Sequence, residues 1–118
     1  METTQATAAL AALAQEHRLA VFRLLVQAGP EGMPAGQVAE ALDLAPNTLS
    51  FHFDRLRVAG LVTVRREGRS MIYAARFEAM NALVGFLTEN CCGGVAECGP
   101  AACAPKAGPR KTKTKVPA

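Results

Sequence analysis

Residues 46–75 read PNTLSFHFDRLRVAGLVTVRREGRSMIYAA, and a change of period inside this stretch decides the fold. Over residues 46–59 the apolar positions Leu49, Phe53 and Leu56 recur at helical spacing and make one face. Pro46 suits a first helical turn, where its missing N–H costs nothing, and Gly60 suits the end. From Leu61 the period shortens to two. Val62 and Thr63, then Ile72 and Tyr73, flank Glu67-Gly68-Arg69, which predicts a hairpin turning at Gly68.

Upstream, residues 37–42 form a short helix with Val38, Ala39 and Leu42 inward, joined to the next by Asp43-Leu44-Ala45. Residues 7–15 form an Ala-rich helix with Leu10 and Leu13 on one face. Residues 17–28 form another, with Leu19, Phe22, Leu25 and Val26 in period, stopped by Gly29-Pro30. Downstream, residues 77–90 return to helix with Phe77, Met80, Leu83, Val84 and Leu87 as a stripe. Two short helices with a tight turn, followed at once by a hairpin, predict a mainly α chain with a β-hairpin wing, a winged helix-turn-helix. The polar face of the second helix then meets the major groove. Asn47, Thr48, Phe51 and Arg55 lie there, where an amide suits adenine, Arg suits guanine and an apolar group suits the thymine methyl. A ring as large as Phe51 on a polar face equally suits packing on a neighbouring element. Ser50 and His52 flank that face and suit phosphate, with a half-buried structural role as the alternative for His52. Arg66 and Arg69 flank the hairpin turn and suit phosphate or a minor groove.

Charge is divided unevenly. Residues 1–90 hold eight Arg, no Lys and nine acids, net −1, and residues 91–118 are net +4. A nucleic-acid surface in the first part must come from clustering, as at Arg65, Arg66 and Arg69. No apolar run is long enough to span a membrane, and the N-terminal stretch has no basic segment ahead of its apolar part, so a cytoplasmic protein is expected. No nucleophile–base motif or phosphate loop suggests an enzyme.

All four cysteines fall in CCGGVAECGPAAC, residues 91–103. The expected organisation is a DNA-binding and dimerisation domain over 1–92, a cysteine-rich ion-binding segment over 91–103, and a disordered basic tail over 104–118. Thiolates are soft ligands. Trivalent arsenic and antimony form three bonds and keep a lone pair, so three sulfurs at the base of a pyramid suit them. Adjacent cysteines on a helix point about 100° apart, and Gly93-Gly94 lets the chain fold back so that a later cysteine can join Cys91 and Cys92. Zinc prefers four donors, for which Cys103 is available, although the C-x2-C knuckles usual in structural zinc sites are missing. A reversible disulfide, a protein that merely sequesters soft metals, and an incidental cluster are further alternatives.

The stretch SFHFDRLRVAGLVTVRREGRSMIY resembles the ArsR/SmtB repressors: Ser-x-His, then Leu, Ala-Gly-Leu-Val, Gly-Arg and an aromatic. The resemblance covers roughly residues 10–90, and Phe53 departs from the usual Leu while keeping its apolar role. It implies a homodimer joined through the first and last helices, with Leu10, Leu13, Met80, Leu83, Val84 and Leu87 at the interface. It also implies an operator of inverted-repeat double-stranded DNA. Family sites differ in place. GQVAEALDL has no Cys, and FEAMNALVGFLTEN has no His or Asp, so two of them are missing here. LTENCC followed by Cys98 resembles the arsenic-responsive members with a C-terminal site, which makes Cys91, Cys92 and Cys98 the implied ligands, with Cys103 extra. The function this implies is repression in the metal-free state and release on binding trivalent arsenic or antimony.

Overall fold

The computed structural model describes residues 1–94. Among them the chain forms α1 (Thr3–Leu13), α2 (Glu16–Ala28), β1 (Met33–Pro34), α3 (Ala35–Leu42), α4 (Pro46–Val58), β2 (Val62–Glu67), β3 (Ser70–Ala75) and α5 (Phe77–Leu87). This is the mainly α fold with a β-hairpin wing that the change of period predicts. It divides into two units, residues 1–83 and 84–118, with the division inside α5.

Several details depart from expectation for identifiable reasons. α1 starts at Thr3, ahead of the expected residue 7, and the Glu2 backbone N–H donates to Gln5 Oε1 at 2.9 Å to close its first turn. The face that α1 buries is Ala6, Ala9 and Ala12, and Leu10 stays 42% exposed. Small side chains let a helix axis approach its neighbours closely, and α1 rests on both α2 and α4. In α2 the inward set is Val21, Phe22 and Leu25, with Leu19 left exposed. The Gln15 side chain caps α2 by accepting from the Arg18 N–H at 2.9 Å.

The wing has a third strand. β1 pairs antiparallel with β3, Met33 opposite Tyr73 and Pro34 opposite Ile72, giving the order β1-β3-β2. Pro34 is tolerated because it lies on an edge strand. Gly32 is required at the entry: its φ is +77°, and a Cβ there would collide with the Tyr73 carbonyl oxygen. The hairpin turns at Gly68 (φ +61°), as the sequence predicts.

The core gathers Val21 and Leu25 from α2, Val38 from α3, Leu49, Phe53 and Leu56 from α4, and Leu61 and Val62 at the start of the wing. α5 stops at Leu87, short of the expected residue 90. The Thr88 hydroxyl donates back to the Val84 carbonyl at 2.8 Å, and Asn90 takes φ +58°. Asn is among the few residues that visit this region readily.

Candidate nucleic-acid interface and thiolate site

α4 is set by its inward face. Ala45 is extended, Pro46 opens the helix, and Leu49, Phe53 and Leu56 lock its rotation. The Phe53 ring stacks on Tyr73 of β3, with centroids 3.6 Å apart and planes 2° from parallel. One aromatic pair thereby ties the wing to the recognition helix. Burial first, and then the nearby Asp54 carboxylate, push the Tyr73 phenol above its usual range. The sequence marks Tyr73 only as a wing residue; its position opposite both Val64 and Met33 in the sheet is what aims it at α4.

With that face fixed, Asn47, Thr48, Ser50, Phe51 and Arg55 are exposed. Phe51 is 51% exposed. The Arg55 guanidinium carbon lies 5.0 Å from the Phe51 ring centroid, within the ~6 Å reach of a cation–π contact. Both side chains also edge a groove of about 420 Å³ between α1 and α4, so Phe51 is shared between open surface and a neighbouring helix.

His52 corrects the expected phosphate contact. Only 6% of it is exposed, and its ring stacks on His17 at 5.7 Å. Burial, then His17, then Arg18 hold its pKa below the usual 6.5. Among the described residues its Nδ1 has no hydrogen-bond partner. Such an imidazole packs α4 against α2, the structural role named as its alternative.

The wing arginines separate. Arg65 is engaged within the protein, donating to Glu67 Oε2 and to the Glu31 carbonyl, both at 2.8 Å. Arg66 donates to the Gly68 carbonyl at 3.1 Å. Arg69 is exposed at the turn and makes no ion pair among the described residues. Arg57, on α4, pairs with Asp54 at 3.5 Å.

Of the expected interface residues, Leu10, Val84 and Leu87 are exposed, and Leu13 and Met80 are half-buried. Leu83, only 7% exposed, belongs to the core of the single chain and is not left over for a partner.

At the end of α5 the Cys91 N–H donates to the Thr88 carbonyl at 2.9 Å. Cys92 (φ 57°) and Gly93 (φ 69°) are both left-handed. The left-handed backbone therefore includes Cys92 itself, one residue before the expected glycines. The Cys91 and Cys92 sulfurs are 3.2 Å apart. Cys98, Cys103 and the basic tail lie outside the described residues. Among those described, no group of three His, Cys, Asp or Glu is placed to hold a metal, and no helix is long and apolar enough to cross a membrane.

A profile of helix-turn-helix domains matches residues 13–65. The uncharacterized HTH-type transcriptional regulator YceK of Bacillus subtilis (strain 168) is 38% identical over 77 residues, covering 64% of this chain and 76% of that protein. The regulator YgaV of Escherichia coli is 31% identical over 88 residues, covering 75% and 87%. Among solved structures, the homodimeric winged helix-turn-helix DNA-binding domain of Mb0332 from Mycobacterium bovis, described as a possible ArsR-family regulator, superposes with a TM-score of 0.60. It shares 30% identity, over 74% of this chain and 81% of that one. A buried face that fixes α4, a wing stacked on it and relatives that regulate transcription agree: this chain belongs to the winged helix-turn-helix transcriptional regulators.

Proposed function

We propose that the protein is a homodimeric repressor that holds an inverted-repeat operator and releases it when trivalent arsenic or antimony binds Cys91, Cys92 and Cys98. The observation that carries this reading is the pair of sulfurs 3.2 Å apart just after α5, where Cys92 and Gly93 take left-handed conformations. Two sulfurs at that separation suit a single soft ion, and Cys98 follows six residues after Cys92 to supply a third. Binding is a substitution without redox change: three thiols give up their protons, three hydroxides leave arsenous acid as water, and three As–S bonds form. A pyramidal ion with a lone pair needs no fourth donor.

The dimer reading is supported by the homodimeric Mb0332 and by exposed apolar side chains, Leu10 on α1 and Val84 and Leu87 on α5. If α5 serves both as interface and as bearer of the thiols, an ion that fixes its end also shifts the spacing of the two recognition helices. A coupling of ~1–3 kcal/mol is enough to switch occupancy by one or two orders of magnitude. A stretch of duplex selected from a random library supplies the test. The reduced full-length protein should release it on adding arsenite or antimonite, and not on adding zinc or peroxide. Release by zinc points to a tetrahedral sensor, and release by peroxide alone to a disulfide switch. Metalloid binding with no effect on DNA points to a sequestering protein. Each of these contradicts the proposal.

A further inference from the structure

We infer that Phe51 and Arg55 form one reading unit on α4, and that it selects a T·A pair next to a G·C pair in each half-site. The inference rests on the DNA-binding reading and not on the arsenic switch. The two residues are four apart on the exposed face of the helix, and the guanidinium carbon lies 5.0 Å from the ring centroid. A guanidinium held over a ring face keeps its N–H edge free, and that edge matches the O6 and N7 acceptors of guanine bidentately. Among the described residues Arg55 makes no ion pair, whereas its neighbour Arg57 is paired with Asp54 at 3.5 Å.

Phe51 is 51% exposed, and what its ring exposes is apolar. The thymine methyl is the one apolar group that base pairs present in the major groove. Successive bases on a strand rise ~3.4 Å, a spacing that side chains in direct contact span. Arg55 on a guanine therefore brings the Phe51 edge to the adjacent pair. The same contact makes Phe51 a positioning residue for Arg55, because the ring limits where the guanidinium points.

The test uses the full chain, sites selected from random duplex, and two single-atom probes. Uracil in place of thymine removes only the methyl; 7-deazaguanine removes only the N7 acceptor. Wild type should select the T·A/G·C step. It should lose roughly fourfold in affinity with uracil, the factor one buried methyl supplies, and at least about fivefold with 7-deazaguanine. Phe51→Ala should bind more weakly, become indifferent to uracil and discriminate less against 7-deazaguanine. Phe51→Tyr should restore both. Arg55→Ala should be indifferent to 7-deazaguanine while keeping part of its uracil response. A Phe51→Ala protein that is folded by circular dichroism and still loses fourfold with uracil overturns the inference. So does a uniform loss across all sequences, the result expected if Phe51 only packs against α1. Selection of a site lacking that step also overturns it and leaves the DNA-binding reading intact, whereas selection of no sequence at all overturns both.

Discussion

The recognition helix and the thiol-bearing end of α5 are held by different means. α4 is fixed by burial: Leu49, Phe53 and Leu56 are almost wholly inaccessible, and a stacked tyrosine joins them to the wing. The end of α5 is fixed by backbone conformation, with left-handed residues at Asn90, Cys92 and Gly93 and the exposed side chains of Val84 and Leu87 before them. Burial resists change, because any movement of α4 opens a cavity. Exposed, left-handed residues have little apolar contact to lose, so such a segment can be reset at small cost. The contrast suits the proposed pairing of a DNA reader that must keep its shape with a sensor that must not.

The largest effect should follow from attacking the buried side of this contrast. Phe53→Ala removes a ring 2% exposed together with its stack on Tyr73, and should cost about 3–5 kcal/mol in urea unfolding. A loss below about 1 kcal/mol would break the comparison. Leu83 and Leu87 sharpen it within one helix. Leu83→Glu should fail to fold, because it puts a charge in the core. Leu87→Glu, at a 58% exposed position, should fold normally and sediment as a monomer. A dimeric Leu87→Glu variant would remove Leu87 from the proposed interface.

A smaller effect concerns pH. The pKa of His52 is depressed in the folded state by burial, His17 and Arg18. The unfolded chain therefore takes up a proton near pH 6.5 that the folded chain resists. Stability should be full above 6.5, should fall as pH drops below it, and should stop falling from this cause once folded His52 is itself protonated. Replacing His52 by Gln should flatten that slope in denaturation curves. An unchanged slope would mean that another group causes it. Smallest of all, Arg69→Ala should weaken every DNA sequence alike and reduce the salt dependence of binding by about one unit. A loss confined to particular sequences would place Arg69 on a base edge.

Much of this was legible in the residues. The inward face of α4, the turn at Gly68 and the isolated cysteine cluster all follow from spacing. The rest depends on partners distant in sequence. A two-residue strand has no period of its own, so β1 becomes visible only when Met33 is seen opposite Tyr73. In the Ala-rich α1 every face is apolar enough to bury, and close approach to α2 and α4 chose the alanines over Leu10. The same blindness left His52 open between a phosphate contact and a structural role, and put Leu83 on the partner side. Both lie at the margins of their helical faces, where packing against a neighbour decides. At the thiols the cluster could be read but not its turn, because a positive φ at a cysteine leaves no mark in composition.

The central claim, the proposed one, is that Cys91, Cys92 and Cys98 control the DNA-binding surface of α4 and the wing. Release of a labelled operator by arsenite, measured for wild type and for Cys91→Ser, Cys92→Ser, Cys98→Ser and Cys103→Ser, tests it most directly. Metal-free binding should be equal in all five proteins. Arsenite should release wild type and Cys103→Ser alike and leave the other three bound, because a hydroxyl is a poor substitute for a thiolate toward a soft ion. Normal release from Cys91→Ser and Cys92→Ser, or equal loss at all four positions with zinc as the active ion, would contradict the account.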